Sequence, residues 1–261
     1  MSQIFIGMER KSIINFGITT GNYSSFVNNI VTLAHQKESA NVCVANVHMF
    51  IEAYKDQSFN SIINDATMVT PDGKPLTWVL NYVYGIRQDR VAGMDLLPDL
   101  LQQMMLKRLP AFFYGGTPAL LEKTEHYLRY AFPYLPIAGM YSPPFRPATP
   151  EEEDQLVERI NNSGAAVVLV ILGCPKQERW MASMKGRINA VMIGVGGALP
   201  VMVGMQKRAP GWLQGMGLEW LYRLMQEPRR LFKRYVVTNS LFIYLFFKKI
   251  FKVHGVRRLT S

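Results

Sequence analysis

Apolar residues along this chain keep two alternating rhythms. Short unbroken runs occur at Asn41–Val47, Ala66–Thr70, Ala111–Tyr114, Ile137–Tyr141, Ala165–Leu172 and Ala190–Val195. Runs of about four to eight apolar residues, bounded by Gly, Pro, Asn or Asp, read as buried strands. Between them apolar residues recur every third or fourth position, the period of a helix with one face inward. Asn22–His35 buries Phe26, Ile30, Val31 and Leu33 on this reading. A helix after Asn46 turns Phe50, Ile51 and Tyr54 to one side. Pro75–Tyr84 is helical, and Met94–Lys107 carries the stripe Leu96, Leu97, Leu100, Leu101 and Met104. Residues 3–19 read as two short strands with a turn near Glu9-Arg10-Lys11.

Local signals mark several boundaries. Thr117 before Pro118 is an N-cap followed by a proline at the first helical position, and that helix runs to about Ala131. Thr149-Pro150-Glu151-Glu152 repeats the pattern and adds acids at the positive end of the helix dipole. Gly173-Cys174-Pro175 separates the most β-like run from a short helix. Strands alternating with helices predict an α/β fold, a parallel sheet with helices on both faces. In such sheets ligands bind beyond the carboxyl ends of the strands. Four of those ends carry polar or glycine-rich residues: Asn46, Pro71-Asp72-Gly73, Gly115-Gly116-Thr117, and Gly173 to Gln177.

The chain has 261 residues, 49% of them hydrophobic, enough for one large core or two small ones. Its formal charge of +10 is uneven. From Lys207 onward 12 Lys/Arg face only Glu219 and Glu227, while the preceding residues balance at 17 and 17. A neutral body with a basic tail predicts an anionic partner: a phosphate ligand, anionic lipid or nucleic acid. The two cysteines, Cys43 and Cys174, sit in apolar, strand-like surroundings and read as free thiols of a reducing cytoplasm. The N-terminus lacks the pattern of a signal peptide. No apolar run approaches the ~18 residues of a membrane span.

Candidate chemistry concentrates at the strand ends. Asp72 follows a strand in Pro-Asp-Gly, which is ordinary turn chemistry. A carboxylate in a ligand crevice can also deprotonate an alcohol or hold a ribose. Gly173–Glu178 reads either as a plain strand-to-helix turn or as a place where Gln177 and helix N–H groups face a polar ligand. Cys174 is not read as a nucleophile, since proline follows it and no histidine is near in sequence. Gly115-Gly116 and Gly194-Val195-Gly196-Gly197 match neither a dinucleotide fingerprint nor a phosphate-binding P-loop. The four histidines, His35, His48, His126 and His254, show no metal-ligand spacing, and no Asp-x-Asp occurs. Residues 194–235 join a strand end and glycine turn to the basic segment Lys207-Arg208-Ala209-Pro210. An amphipathic helix with Trp220, Tyr222, Arg223, Arg229, Arg230 and Arg234 follows. Backbone N–H groups and arginines brought together this way suit a diphosphate.

Five blocks, in order, carry a resemblance. They are TPDGKPLTW at 70–78, RVAGMDLL at 90–97, FFYGGTP at 112–118, LGCPKQERWM at 172–181, and GVGG…KRAPGW…GLEWLYRL…EPRR at 194–230. Over about residues 5 to 235 the chain resembles the WecG/TagA/CpsF glycosyltransferases. The resemblance implies a Rossmann-like catalytic domain (1–205) and a basic, aromatic C-terminal appendage (206–261) that closes the site at a membrane. It implies an inverting transferase that uses no metal or other cofactor. Such an enzyme moves a sugar from a UDP donor to a polyprenyl-diphosphate-linked saccharide.

On that basis Asp72 is the expected base, with Asn46 and Gln177 orienting hydroxyls. The expected substrate-binding set is Gly73, Arg90, Gly115, Gly116, Thr117, Lys176, Glu178, Gly194, Gly196, Gly197, Arg208, Trp220, Arg223, Arg230 and Arg234. Arg208, Arg223 and Arg230 would meet the charge of departing UDP. Ala45, Pro71 and Leu199-Pro200 depart from common family patterns and leave the sugar open among N-acetylmannosamine, its uronic acid and glucuronic acid. Two rivals from other classes are a nucleic-acid-binding module built on the basic tail and a nucleotide-sugar dehydrogenase or epimerase. The body carries no nucleic-acid-binding motif.

The tail yields one more expectation. Leu241–Phe247 is an apolar plug flanked by Arg229, Arg230, Lys233 and Arg234 on one side and Lys248, Lys249, Lys252, Arg257 and Arg258 on the other. Apolar rings between cations suit an anionic membrane surface, at about 1 kcal/mol per cation. The reading is of a peripheral protein on the cytoplasmic face of the plasma membrane, severable after Tyr235. Packing of the tail into a homo-oligomer is the alternative.

Overall fold

The computed structural model describes the backbone of residues 8–259 and the side chains of residues 8–248. In chain order the strands are β1 (Glu9–Ile13), β2 (Phe16–Thr20), β3 (Ala40–Ala45), β4 (Met68–Pro71), β5 (Ala111–Gly115), β6 (Ile137–Tyr141), β7 (Val167–Ile171) and β8 (Val191–Gly194). The helices of the body are α1 (Tyr23–His35), α2 (Val47–Lys55), α3 (Gln57–Asp65), α4 (Lys74–Tyr84), α5 (Gly93–Leu106), α6 (Pro118–Ala131), α7 (Pro150–Asn162), α8 (Lys176–Met184) and α9 (Ala198–Met202). Beyond them lie α10 (Gly211–Gly215), α11 (Glu219–Gln226) and α12 (Pro228–Leu259).

β3 to β8 form one sheet in the order β4-β3-β8-β7-β5-β6, every neighbour pair parallel. The reason is visible in β7, whose residues Val167–Ile171 are all buried. A strand apolar on both faces needs helices on both. The pleat divides its residues accordingly. Val167 and Leu169 pack with α1, α5 and α6 on one face. Val168 and Val170 pack with α2, α3, α4 and α8 on the other. The predicted α/β architecture is therefore the observed one. Thr117 and Thr149 cap α6 and α7, the latter with a complete capping box to Glu152.

Local structure differs from expectation in three places. The first hairpin turns at Ile14-Asn15, with φ of 49° and 64°, and not at Glu9-Arg10-Lys11. Two left-handed residues fit the twist of a two-residue hairpin. The charged residues lie in β1, where Arg10 donates to the carbonyls of Ile63 and Ala66. The expected strand residues 3–7 lie outside the described residues. Tyr54 faces solvent, because α2 is short and Asp56 caps a new helix.

The third difference is the tail. The single amphipathic helix expected over Trp220–Arg234 is two, broken at Glu227-Pro228, since proline supplies no N–H to continue α11. α12 does not stand free. Phe242 and Leu245 are buried in the core of one face, and the Phe242 ring meets Phe50 edge-on at 5.5 Å. A buried ring of this kind stabilises by about 1.5–3 kcal/mol. Removing the chain after Tyr235 therefore strips core residues, and the tail is not a severable anchor. Ile243, Tyr244 and Phe247 do remain exposed. The side chains of Lys249, Lys252, Arg257 and Arg258 lie outside the described residues. Among the described residues no helix is long and apolar enough to cross a membrane.

Candidate active site

The carboxyl ends of β3, β4, β7 and β8 meet under the C-terminal helices and enclose a cavity of about 750 Å³. Asp72 stands at its β4 wall. Its N–H donates to the Ala45 carbonyl at 2.8 Å, and the preceding Pro71 carbonyl accepts from Val91 at 2.9 Å. These bonds fix the end of β4 to β3 on one side and to the segment bearing Arg90 on the other. Asp72 keeps partial access to the cavity but lies deep in the protein. Burial pushes its pKa up to about 7, Glu219 acts in the same direction, and Arg223 and Arg90 oppose them. A carboxyl that exchanges its proton near neutral pH suits a general base.

Part of the cavity wall is cationic. Arg223, Arg230 and Arg234 line this cavity and also an adjoining one of about 230 Å³. The two cavities share Gly173, Gly196 and Gly197 as well. Arg234 stacks on the Tyr235 ring at 5.3 Å, and its Nε is buried with no protein partner among the described residues. Arg223 reaches Met94 Sδ at 3.5 Å and lies 3.9 Å from Glu219. A Cβ added at Gly197 would come 3.7 Å from its guanidinium. Arg230 pairs with Glu227 at 2.5 Å. Guanidinium groups beside a glycine turn at a strand end offer planar donors to a diphosphate.

The appendage is latched over the cavity by charge. Arg90 donates to Glu219 at 3.0 Å and to Asp95 at 2.8 Å, with Gln214 at 3.4 Å. Arg208 pairs with the same Asp95 and with Gln214. Arg208 lines neither cavity, and its bonds to Asp95 and Gln214 tie α5 to α10. Trp220 lines the main cavity and packs edge-on to Tyr235 at 5.8 Å.

The sequence model of the glycosyl transferase WecG/TagA/CpsF family matches residues 11–255, which includes every wall of both cavities. The chain belongs to this family. It is a glycosyltransferase. One relative is the N-acetylglucosaminyldiphosphoundecaprenol N-acetyl-beta-D-mannosaminyltransferase of Bacillus spizizenii. It is 30% identical over 225 residues, covering 85% of this chain and 86% of the relative.

The other expected residues of the transferase divide between the cavity wall and its surroundings. Asn46 lines the cavity, but its Oδ1 accepts from Met49 N–H at 3.2 Å and so caps α2. Gln177 lines it too, with both ends of its amide engaged. The oxygen accepts from Gly173 N–H at 3.1 Å and the NH₂ donates to Glu178 at 2.7 Å. Gln177 thus braces the ends of β7 and β8. A Cβ at Gly194 would stand 2.7 Å from its amide. Glu178 is fully buried below the floor, where burial raises its pKa. Lys176 is exposed, and it and Glu178 line neither cavity.

Gly115, Gly116 and Thr117 also lie outside both cavities. A Cβ at Gly115 would meet the Ile171 carbonyl at 2.7 Å, so glycine there serves the close pairing of β5 with β7. Thr117 spends its hydroxyl on the α6 cap. Gly73 lines the cavity beside Asp72, as Gly194, Gly196 and Gly197 do on the β8 side.

Among the cavity residues that sequence reading did not place in the site are His48 and Cys174. His48 lies in the wall with Nδ1 buried and unpartnered among the described residues, 3.8 Å from Glu52. Burial, then Arg234, lowers its pKa. Cys174 lines the same cavity from the β7–α8 turn, not from a strand. Burial and Glu178 push its thiol up, away from a thiolate, and Cys43 is likewise free and buried. The number of residues between His48 and Cys174 hid their meeting, since only the sheet order places β3 and β7 two strands apart.

Proposed function

We propose that the transferase moves an N-acetylhexosamine, N-acetylmannosamine foremost, from a UDP donor to a polyprenyl-diphosphate-linked saccharide, with inversion and without a metal. The observation that carries this is Asp72, its pKa raised to about 7, lining one cavity together with three arginines. Asp72 takes the proton of the acceptor hydroxyl. The freed oxygen attacks the anomeric carbon from the face opposite the diphosphate, whose C–O bond breaks with its electron pair. Arg223, Arg230 and Arg234 meet the new charge on UDP, Arg234 taking the part expected of Arg208. A single displacement of this kind inverts the anomeric centre. The Bacillus spizizenii relative, named for transfer of N-acetylmannosamine to a lipid-linked N-acetylglucosamine, supports the choice of sugar and acceptor. The site then works at the inner face of the plasma membrane, where such an acceptor resides.

The deciding experiment is turnover of a panel of UDP-sugars on a synthetic lipid-linked acceptor, with the product's mass and anomeric coupling constant measured. Asp72→Asn should lose turnover while still binding UDP. Near-normal turnover of that variant, or a product that retains configuration, would remove the mechanism. Stabilisation by NAD or single-stranded DNA and not by UDP in a thermal-shift assay would favour the rival classes.

A further inference from the structure

One face of α12 changes character along its length. Arg230 and Arg234 come first and line the cavity beside the glycine turns. Thr238 and Asn239 follow on the same face, then Phe242 and Ile243, then Phe246 and Phe247, all of them cavity lining. The spacing of three and four residues is that of a single helical stripe. At 1.5 Å per residue it runs about 20 Å from Arg234 to Phe247. The cavity is therefore cationic where it meets the strand ends and apolar where it meets the far half of α12. Trp78, Val79 and Met216 supply apolar lining from other elements.

The mouth of this apolar arm is open. Trp78, Ile243 and Phe247 are 53%, 53% and 51% exposed although they line a cavity. Phe242 supports the stripe from behind through Phe50, and Phe246 through Tyr82, with ring centroids 6.1 Å apart. Large rings held in place at a cavity mouth cost solvation unless something apolar covers them.

We infer that this arm is a subsite for the hydrocarbon chain of the acceptor. The first isoprene units would lie along Trp78, Ile243 and Phe247, with the attached diphosphate over Thr238 and Asn239 and its saccharide running on toward the strand ends, where Arg223, Arg230 and Arg234 meet the donor. This rests on the proposed function above, which supplies an acceptor whose polar saccharide diphosphate continues directly into a hydrocarbon chain. Its order of polar saccharide diphosphate and then apolar chain matches the stripe along α12, polar through Asn239 and apolar from Phe242 on. A membrane surface alone would use the exposed rings but would not require them to be continuous with the arginine-lined cavity.

The test uses the full-length protein in buffer without micelles or vesicles. The acceptors are saccharide diphosphates carrying a methyl or a farnesyl group. The quantity read is the ratio of kcat/KM for the farnesyl acceptor to that for the methyl acceptor. Burial of a few methylene equivalents predicts a wild-type ratio of about 30 or more. Ile243→Ser with Phe247→Ser, two exposed positions whose replacement leaves the core intact, should bring the ratio below about 5. Trp78→Ala is the matching change on the opposite wall. A wild-type ratio near one, or a ratio unchanged in both variants, would overturn the subsite. A chain-length effect seen only after anionic vesicles are added would overturn it as well and assign the rings to membrane docking. Turnover of the methyl acceptor with inversion leaves the proposed function standing in each of these cases. No turnover of either acceptor with any UDP-sugar would remove both.

Discussion

Two strand ends in this sheet look alike as sequence and differ in what they do. β5 ends in Gly115-Gly116 and β8 in Gly194-Val195-Gly196-Gly197, each followed by a helix. At β5 the glycines serve the backbone. Gly115 has φ of 103°, and its missing Cβ makes room for the Ile171 carbonyl. At β8 they open space. Gly196 and Gly197 line both cavities, and a Cβ at Gly197 would come to ordinary contact distance, 3.7 Å, from the Arg223 guanidinium. The lesson is that a glycine pair marks a strand end but not its use. Use depends on what the neighbouring strands and the C-terminal helices bring opposite to it.

Four substitutions would sharpen or break that contrast. The largest effect is expected at Asp72, on the side of the sheet that carries the cavity. Asp72→Asn should lower kcat by about 10²–10⁴. The folded protein holds the Asp72 proton more tightly than the unfolded chain, because its pKa is raised from 3.8 to about 7. The stability associated with that proton is present below the unfolded value and is lost as pH rises through about 7. The variant should therefore match wild type near pH 4 and exceed it at pH 8, by up to about 4 kcal/mol. Chemical denaturation at the two pH values measures this. A variant less stable than wild type at pH 8 would show that Asp72 is not strained by burial.

Gly115→Ala comes next and should act on stability alone. A left-handed φ and a 2.7 Å approach to backbone predict a loss of roughly 3 kcal/mol, with the folded fraction keeping its KM for donor. A change in KM at unchanged stability would move β5 into the site. Gly197→Ala should do the reverse. Its φ of −71° suits alanine, so stability should change by less than about 1 kcal/mol. The methyl group would stand at the proposed diphosphate site beside Arg223, and donor KM should rise several-fold. The smallest effect is expected for Thr117→Ala, a lost cap worth about 1 kcal/mol with catalysis unaltered. Any fall in kcat there would contradict the purely structural role of that strand end.

Much of the site was legible in the chain. Asp72 could be found because Pro-Asp-Gly follows a buried run, and strand ends are where parallel sheets bind ligands. Arg223, Arg230 and Arg234 stood out because the charge excess lies wholly beyond Lys207. Arg208 was just as basic and just as near, yet Asp95 takes it. His48 gave no signal at all, being one histidine in an apolar face until Cys174 and Arg234 are placed beside it. In sequence Gln177 reads as an amide turned to a polar ligand. Only the three-dimensional arrangement shows its amide consumed by Gly173 and Glu178.

The alternation of apolar runs with helical periods was enough to determine an α/β sheet, its helix caps and the edge on which a site must lie. These are local properties, set by which side chains can be buried within one strand or helix. Strand order is not local: nothing in Val191–Gly194 says that the last strand inserts between β3 and β7. That insertion brings Gly194–Gly197 between Asn46 and Gly173, and so makes one cavity of three distant segments. The fate of the tail was decided the same way. Leu241–Phe247 reads as an apolar plug whatever it touches, and only packing against Phe50 separates the buried Phe242 and Leu245 from the exposed Ile243 and Phe247. A side chain's hydrophobicity is written in its own atoms, but whether that apolar surface is covered by protein or left open at a cavity mouth depends on atoms far away in the chain.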